Sequence, residues 1–579
     1  MLTTQEPTQS VRVALVSLER TSPKSESPRR MESRMDYEGA TAFLGDWGPF
    51  QCGLALLLCI TMIPNGYASL VLVFAGDTPA HRCLVPAVNL TEEWRDASIP
   101  LYEDGRPAEC SRYQLEALRA YSEAGWLPSH VNLSAVPREG CLDGWEYDRS
   151  IYRSTIVTEW DLVCGQGWKK PLTFSLYYFG CLVGSFLSGQ FSDRFGRKKV
   201  LFVTLASQTL SAFLQVFMPS WTAFCVLQFL AGMSAVSNYL AAFVLGAELL
   251  SPRLRLFFTT AASNIFFALG YVLLPLHAYF LRDWRTLLLG ITTPGFLLLT
   301  LWWAIPESPR WLLSQGRIAE AEAIVRLVAK RSKMEAPAKI FTTLQKEGDS
   351  EMKKYNICDM LRSPNVRWMS VLLWFVWNTI AMGYLTLSLN TSNLHGNAYL
   401  NCFLSGAVEI PAYLLTWLMF RRCPRRLTLA ACLASSGFFL LVIQLVPADT
   451  HWLAMTLEML GKFSLTAAFA HIYAYTAELY PTVLRNMGMG SCSMASRIGS
   501  ILAPYIIYLR SYWVSLPYIL MGVLIIAAAL LSLLLPETYE IPLPETIAET
   551  QPFPGCCRKE VYKPTSTKEE SQRQSVDVQ

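Results

Sequence analysis

About a dozen apolar stretches of about 20 residues divide this chain and constrain its fold more than any other feature. A helix of about 20 apolar residues is long enough to cross the hydrocarbon core of a bilayer. Hydrophobic residues make up 52% of the 579 residues and charged residues only 16%, unlike a soluble protein. The sequence therefore predicts an all-α membrane protein. The predicted spans lie near residues 51–74, 171–190, 199–218, 221–247, 255–280, 285–305, 368–389, 398–420, 425–446, 452–476, 487–508 and 515–535.

The orientation of these spans follows from the basic residues in the short loops. Lysines and arginines cluster in residues 194–199, 253–255 and 421–426. Loops rich in these residues stay on the cytoplasmic side of a membrane. An even number of spans then places both termini in the cytoplasm. Residues 1–34 are polar and basic with no apolar core, so no cleavable leader is predicted.

Two long loops complete the predicted domain organisation, one on each side of the membrane. The inner loop is charged, and residues 317–328 show the spacing of an amphipathic helix. The predicted parts are a cytoplasmic N-terminal segment (1–50), a six-helix bundle (51–305) with an extracellular loop (75–170), cytoplasmic linker helices (306–367), a second six-helix bundle (368–535) and a cytoplasmic tail (536–579).

The extracellular loop carries residues that suit an oxidising compartment. It contains four cysteines and two sequons for N-glycosylation, and both features are typical of extracellular segments. Two disulfides are predicted, with all three pairings open. The residues are Cys83, Cys110, Cys141 and Cys164, and the acceptor asparagines are Asn89 and Asn132.

An internal repeat relates the two halves of the chain. Residues 248–255 (ELLSPRLR) follow the fourth span, and residues 478–485 (ELYPTVLR) follow the tenth. Pro306-Glu307 follows the sixth span and Pro536-Glu537 the twelfth. The matching positions predict two six-span halves that arose by duplication and run in parallel orientation. Transporters built in this way bind their solute between the halves, near the middle of the membrane.

Arg497 lies in the middle of the apolar run 489–508. A guanidinium stays charged at this depth and is costly to bury alone, so intramembrane arginines usually meet an anion. The predicted role is to bind the carboxylate of a transported solute.

Several motifs resemble known transporters. Residues 193–198 (DRFGRK) are similar to the loop signature of the major facilitator superfamily, and residues 306–312 (PESPRWL) and 477–482 (AELYPT) resemble its organic ion transporter branch. The closest resemblance is to the organic cation/carnitine (OCTN-type) transporters, and it covers about residues 35–546. It rests on residues 42–50 (AFLGDWGPF), 63–66 (IPNG), 154–160 (STIVTEW), 393–396 (NLHG) and 408–413 (VEIPAY).

The resemblance implies a plasma-membrane carrier that works by alternating access. Some members take up carnitine with sodium, and others carry organic cations or ergothioneine. Its partners would be a small organic solute, Na⁺ and the lipid bilayer. No other cofactor is implied, and the net charge of +4 is too small to suggest nucleic acid. A nucleotide-binding loop of the G-x-x-x-x-G-K-[ST] type is absent from the sequence, which argues against an ATP-driven pump.

The expected site combines aromatic and amide side chains inside the spans. Aromatic rings bind quaternary ammonium groups, which cannot donate hydrogen bonds. Amide oxygens suit Na⁺ or a polar solute, although both residue types also join membrane helices to each other. The predicted substrate-binding residues are Arg497, Asn238, Tyr239, Phe267, Trp377, Tyr384 and Tyr473, and the predicted sodium or polar site contains Asn65 and Gln208. One departure bears on sodium coupling, because Ala235 stands where OCTN-type members usually have glutamine.

Charged residues at the cytoplasmic ends of spans are predicted to gate transport, by pairing between the halves in the outward-open state. They are Asp193, Arg194, Arg197, Glu248, Glu478 and Arg485. Glu409 and Lys462 lie inside spans eight and ten, where we expect them to neutralise each other. His277 and the other histidines are too isolated to predict a metal site.

Carnitine is the first predicted solute of this secondary carrier. The alternatives are a polyspecific organic cation or ergothioneine carrier without strict sodium coupling, and a transport-dead receptor whose external loop binds a partner. A dead carrier has no need to bury Arg497, which argues against a receptor. No catalytic motif such as H-E-x-x-H or a nucleophile elbow appears in the sequence, so no enzyme is predicted.

Overall fold

A computed structural model describes most of the chain. It covers residues 41, 43 and 45, residues 48–341 except 87–89, 103–104, 333 and 338–339, and residues 357–555 except 395, 448–449, 482, 540, 542–543, 545–546, 548–549 and 551. The architecture is helical, with four short strands in the loop that follows the first span. We call the side that carries this loop the outer side and the opposite one the inner side.

Each predicted span coincides with a helix or with two or three consecutive helical segments, here called TM1 to TM12. Within the described ranges, ten of them are long and apolar enough to cross a membrane. TM12 is shorter, and polar residues such as Gln208 make TM3 less apolar. The bounds are TM1 (Pro49–Ile60, Ile63–Leu70 and Leu72–Ala75), TM2 (Lys169–Phe195), TM3 (Arg197–Gln215), TM4 (Trp221–Leu249), TM5 (Pro252–Phe257, a π-turn Phe258–Ala262, and Ser263–Phe280), TM6 (Trp284–Leu298 and Leu299–Trp303), TM7 (Pro364–Leu389), TM8 (Ala398–Ala407 and Glu409–Arg422), TM9 (Arg425–Val442), TM10 (His451–Leu479), TM11 (Arg485–Tyr508) and TM12 (Leu516–Ser532).

Prolines explain the two clearest interruptions. Pro64 has no amide hydrogen for the carbonyl of Ile60, and the first helix of TM1 ends at that residue. In TM8, Pro411 cannot donate to the carbonyl of Ala407, and the helix breaks at Val408. Both interruptions lie well inside their spans, where they free backbone carbonyls next to buried polar side chains.

Packing follows the two halves that the repeat predicts. TM4 packs against TM2 and TM3 in the N-terminal half, whereas TM7 packs against TM11 and TM9 against TM12 in the C-terminal half. Gly180 and Gly232 lie where TM2 crosses TM4, and a methyl group on either would collide with the backbone of the other helix. TM2 meets TM11 and TM5 meets TM8 across the halves. These two contacts form the seam on which the site is built.

The outer loop folds into a small domain above the bundle. Strands β1 (His81–Cys83) and β4 (Trp145–Tyr147) pair antiparallel, as do β2 (Arg112–Tyr113) and β3 (Arg138–Glu139). Short helices Glu92–Ala97, Leu115–Glu123 and Ile156–Glu159 complete it. Arg112 is 2% exposed and pairs with Glu139 at 2.8 Å and with Asp143 at 2.6 Å. A buried, bidentate arginine of this kind fixes the strands around it.

The structure resolves the disulfide pairing that the sequence left open. Cys83 is bonded to Cys141, and Cys110 is bonded to Cys164. The second bond ties the middle of the outer domain to the start of TM2. Asn132 is exposed on a short turn, where its side chain accepts a hydrogen bond from the amide of Ser134. Asn89 lies outside the described residues.

On the inner side, helices Pro309–Ser314, Ile318–Arg331 and Ile357–Arg362 follow TM6. The amphipathic helix that the sequence predicts is present, and it buries Ala321, Val325 and Val328 against Trp311. The indole nitrogen of Trp311 donates to the carbonyl of Asp193 at 2.9 Å. The linker therefore rests on the turn between TM2 and TM3.

We predict that the outer domain carries a glycan on Asn132 and the two bonds Cys83–Cys141 and Cys110–Cys164. The exposed amide of Asn132 is free to accept the sugar because only its oxygen is engaged. Glycosidase digestion should shift the mass of the wild type and shift Asn132→Gln less, and non-reducing peptide mapping should recover the two cross-linked pairs. Four free thiols together with an unmodified Asn132 would show that this domain does not face the cell exterior.

Candidate functional site

Arg497 lies half-way along TM11, about 18 Å from the inner start of that helix. TM11 packs against both TM2 and TM7 at this level. Gly499 allows this close approach, because a methyl group there would meet the backbone of Asn378 on TM7. The arginine is therefore held at the seam between the halves, at the depth that the sequence predicts.

Among the described residues, no anion pairs with the guanidinium of Arg497. No hydrogen bond or ion pair joins it to another residue in the described parts of the chain, and its Nε atom is buried without a partner. Arg497 is partly buried. Removing a cation from water without a counter-ion is costly, and a buried donor without a partner adds to that cost. The site therefore gains free energy when an anionic group binds to it.

Four tyrosines surround this arginine within the range of electrostatic interaction. Tyr177 and Tyr178 belong to TM2, Tyr239 belongs to TM4 and Tyr473 belongs to TM10. Their hydroxyls can accept from the guanidinium or donate to a bound carboxylate. Both halves thus contribute to the surroundings of Arg497.

Aromatic rings cluster on the C-terminal side of the site. Tyr473 makes edge contacts with Trp377, at 4.4 Å between ring centroids, and with Phe469, at 5.5 Å. Phe469 also stacks on Tyr384 at 5.5 Å. Such a cluster presents ring faces and edges to a group bound beside it. A quaternary ammonium over one of these faces gains roughly 0.5 to 2 kcal/mol.

The predicted aromatic residues differ in how deeply their side chains are buried. Trp377 is fully buried, lies behind Tyr473 and donates its indole N–H to Thr476 at 3.0 Å. Tyr384 is nearly as buried and donates to Glu409 at 2.8 Å. Tyr473 and Phe267 remain partly exposed. The geometry therefore favours Tyr473 for direct contact, with Trp377 and Tyr384 as supports, whereas no ring contact within the described residues joins Phe267 to this cluster.

The predicted amides form a compact group in the N-terminal half. Asn238 donates to Gln208 at 3.3 Å and to the carbonyl of Thr61 at 3.4 Å. Gln208 in turn donates to the carbonyl of Pro64 at 3.4 Å. These carbonyls come from the interrupted stretch of TM1. The structure thus brings TM1, TM3 and TM4 together through these polar residues.

Part of this group has no hydrogen-bond partner. Both side-chain polar atoms of Asn65 and the Oδ1 atom of Asn238 are buried and unpaired within the described residues. Unpaired buried polar atoms are rare, since each costs about 1 to 3 kcal/mol. Their oxygens, with that of Gln208, are the hard ligands that Na⁺ accepts. Ala235 lies one turn before Asn238, is 3% exposed and adds no oxygen.

The outer ends of the two halves are closed against each other. Ser175 of TM2 donates to the carbonyl of Ile501 at 2.7 Å, and Tyr271 of TM5 donates to Ser405 at 2.8 Å. Tyr399, at the outer start of TM8, stacks on Phe74 at 5.3 Å between centroids. The structure thus represents a state that is closed on the outer side.

The inner charges that we predict to gate transport are paired within each half in this state. Arg197 contacts Asp193 at 2.9 Å and Glu248 at 3.2 Å, all in the N-terminal half. Glu478 contacts Arg425 at 3.3 Å and accepts from Thr538 at 2.6 Å, all in the C-terminal half. The two networks occupy matching positions of the repeat. A charge pair that joins the two halves would require a different conformational state of the protein.

The other two predicted gate residues differ from these. Arg194 is exposed and lies over the ring of Phe195, 5.6 Å from its centroid. Arg485 has two buried guanidinium nitrogens without a hydrogen bond to any described residue. Arg485 is therefore the cation with capacity left for a new partner.

The predicted neutralisation of Glu409 by Lys462 is present in the structure. Their charged atoms lie 3.0 Å apart and both side chains are about 1% exposed or less. Lys462 also lies 3.5 Å from the ring centroid of Tyr384.

Sequence reasoning missed Tyr177, Tyr178 and Phe469. TM2 packs against TM11 across the seam, and this contact brings Tyr177 and Tyr178 near Arg497. Their level in the membrane was the available signal. Periodicity alone cannot distinguish them from packing residues, because an aromatic side chain suits both environments.

Comparisons with known proteins agree with this architecture. Residues 166–549 match the family model described as sugar (and other) transporter. A solved structure of the xylose transporter XylE from E. coli, in an inward-open conformation, aligns over 85% of this chain and 98% of its own, with a TM-score of 0.53 and 14% identity. At that identity the likeness shows the fold alone.

Two curated relatives are much more similar in sequence. The mouse organic cation/carnitine transporter 2 is 53% identical over 88% of this chain and 93% of its own length. The human organic cation/carnitine transporter 2 is 52% identical over the same shares. The predicted twelve-helix major facilitator fold and the predicted family are therefore confirmed. The chain belongs to the organic cation/carnitine transporters of the major facilitator superfamily.

Proposed function

We propose that this protein carries carnitine-like zwitterions across the plasma membrane, with both of its termini in the cytoplasm. The observation that carries this proposal is the unpartnered Arg497 at the seam, beside an aromatic cluster. A zwitterion offers a carboxylate for the guanidinium and an ammonium for the rings. The names of the mouse and human relatives support the same class of solute.

The two recognition elements select a zwitterion over a simple cation. A fixed guanidinium at low dielectric repels a lone cation, whereas it binds a carboxylate through two parallel hydrogen bonds. Tyr473 and Phe469 then face the ammonium end, which needs no hydrogen-bond acceptor. Both partners are held by TM10 and TM11, so their separation is fixed before the solute arrives.

Sodium fits the amide group of the N-terminal half. We assign the unpaired oxygens of Asn65 and Asn238, together with Gln208, as its ligands. The interruption of TM1 at Thr61 and Pro64 supplies backbone carbonyls in the same place. A bound cation would satisfy oxygens that are otherwise buried without a partner, and its affinity would be linked to the conformation of TM1.

One observation favours a second function, a polyspecific organic cation or ergothioneine carrier without strict sodium coupling. Ala235 removes an amide from the wall of TM4 close to Asn238. A site with fewer oxygens binds sodium less tightly, and coupling weakens accordingly. Uptake of labelled carnitine, ergothioneine and tetraethylammonium, each with and without sodium, separates the two functions. No uptake of any of the three would leave the receptor alternative.

Transport requires the seam to open on one side at a time. The outer contacts of Ser175 and Tyr271 hold the present state, and the inner charge networks are free to rearrange. We propose that Arg197 and Glu478, with Arg485, exchange partners when the inner side closes. Since a ligand shifts such an equilibrium only by its differential affinity, these residues set rates rather than selectivity.

We predict that Arg497→Ala abolishes carnitine uptake and that tetraethylammonium uptake falls less or rises. The carboxylate loses its partner, whereas a simple cation loses a repulsive charge. Arg497→Lys should restore only part of the activity, because an ammonium lacks the planar fork. Paired uptake at matched surface expression measures both effects. Arg367→Ala, an exposed arginine at the inner end of TM7, is the control. Equal loss of both solutes would make Arg497 a packing or gating charge.

We predict that Asn65→Leu raises the sodium concentration for half-maximal carnitine uptake at least about tenfold, the equivalent of about 1.4 kcal/mol. The substitution breaks no hydrogen bond within the described protein, so a change in sodium dependence reports on the ion. Thr292→Val, which also removes a buried unpaired oxygen in the same half, should leave sodium dependence unchanged. Equal effects of the two variants would contradict the assignment of sodium to Asn65.

We predict that Arg197→Ala lowers maximal uptake about fivefold or more, since losing a latch shifts the conformational equilibrium by about 1 to 3 kcal/mol. The solute site stays intact, so the order of inhibitor potencies should not change. Arg425→Ala removes the matching contact to Glu478 and should behave alike. Altered inhibitor selectivity at normal maximal uptake would place Arg197 in recognition instead.

A further inference from the structure

A second buried acid, besides Glu409, lies in the C-terminal half, near its outer end. Glu458 is on TM10, about 10 Å from the outer start of that helix, and is 2% exposed. Its carboxylate accepts from Tyr518 of TM12 at 2.9 Å and from Asn390, just after TM7, at 3.4 Å. Both partners are neutral, and no described cation lies within ion-pair distance of it.

Glu458, Glu409 and Lys462 together carry a net negative charge when all three groups are ionised. Lys462 lies one turn deeper on the same helix and already pairs with Glu409. Two carboxylates therefore share one buried ammonium. A buried carboxylate that lacks its own counter-ion is costly in a low-dielectric interior. Binding one proton removes the excess charge.

Other titratable groups face the same region from TM7, TM8, TM10 and the outer end of TM11. Arg510 at the outer end of TM11 acts on Glu458 through space, as Lys462 does. Tyr384 of TM7 and Tyr413 of TM8 donate to Glu409, while Cys402 of TM8 lies near Lys462. His451 is exposed at the outer start of TM10. Of these groups, Glu458 is the buried acid whose hydrogen-bond partners are neutral.

The hydrogen bonds of Glu458 suit both protonation forms. Asn390 donates to the hydroxyl of Tyr518 at 2.6 Å and also to Glu458. A hydroxyl can rotate to donate or to accept. Tyr518 therefore donates to the carboxylate, or accepts from the carboxylic acid, without moving any heavy atom. A proton can bind and leave with little rearrangement.

The acid is connected to the outer seam through Lys462. Lys462 donates to Ser388 of TM7, and its Nζ atom lies 5.6 Å from the ring centroid of Tyr271. Tyr271 belongs to TM5 of the other half and donates to Ser405. Opening the outer seam must separate Tyr271 from this group and admit water. Water stabilises the ionised form of Glu458 and of its neighbours.

We propose that Glu458 is a proton-binding site of the outer gate. The proton is bound while the seam is closed and leaves to the outer side when the seam opens. Since opening releases a proton, acid on the outside favours the closed state. External acid should then weaken apparent binding of solutes that enter from the outside.

The test is uptake of labelled carnitine at constant sodium while external pH falls from about 8 to about 6. In the wild type, the concentration for half-maximal uptake should rise, by at most tenfold per pH unit for one linked proton. Glu458→Gln keeps the size and an acceptor for Tyr518 but cannot titrate, so its dependence should be flat. The control is His451→Gln, which removes another outer titratable group on the same helix and should leave the dependence unchanged.

Two further variants test the proton site independently of Glu458→Gln. Tyr518→Phe removes a donor to the carboxylate, so the pH dependence should persist with its midpoint moved to higher pH. Should Glu458→Gln fail to reach the surface, Glu458→Asp must shift the midpoint instead. A wild-type slope retained in both Glu458 variants, or a slope lost in His451→Gln, would overturn the proton site. The proposal rests on the proposed function for its readout only. A wild type that carries no solute refutes the proposed transport function, whereas a wild type that carries carnitine with the slope retained in both Glu458 variants refutes the proton site alone.

Discussion

The unpaired charge of Arg497 is the constraint on which the rest of the site depends. A membrane protein can keep an arginine at mid-depth only if something repays the free energy of removing it from water. Four tyrosines lie within electrostatic range of the guanidinium, but none of them forms a hydrogen bond to it in the described structure. The free-energy cost that remains can be offset by a bound solute anion. The same deficit also requires a seam that opens, because a carboxylate bound in a closed interior could not leave.

Two sets of contacts, one on each side of the membrane, control the opening of that seam. On the outer side the halves touch through hydrogen bonds and stacked rings, such as Tyr271 with Ser405 and Phe74 with Tyr399. On the inner side the charges of Arg197 and Glu478 are satisfied within their own halves. Water can replace a neutral contact at little cost in free energy. The members of a charge pair need new charged partners when they separate. We therefore expect a cation such as Arg485, which has two buried guanidinium nitrogens without a partner among the described residues, to take part when the inner side closes.

Sequence patterns predicted the spans, the family and the level of each polar residue. Apolar length and loop charge are read from consecutive residues, so the bounds of TM4 and TM10 could be anticipated closely. The disulfide pairing could not, because four cysteines permit three pairings and the strands β1 and β4 decide between them. Nor could the sequence tell that Trp377 lies behind Tyr473 rather than beside the solute. Both residues are aromatic at similar depth, and only the rotation of TM7 and TM10 distinguishes them.

The duplicated halves have acquired different chemistry at corresponding depths. In the N-terminal half the buried polar residues discussed above are neutral amides, Asn65, Gln208 and Asn238, which can satisfy one another or hold a small cation without leaving a charge behind. In the C-terminal half they include the ionisable groups Glu409, Glu458 and Lys462, beside the partly buried Arg497, and their balance changes with each proton or anion that binds. A neutral site can be emptied at low cost, whereas a charged site holds its ligand until the surroundings rehydrate. In the function proposed above, the driving ion is assigned to the N-terminal half and the solute to the C-terminal half, and this asymmetry is consistent with that proposal. The two halves meet where TM2 and TM5 touch TM11 and TM8, and where Phe74 of TM1 stacks on Tyr399.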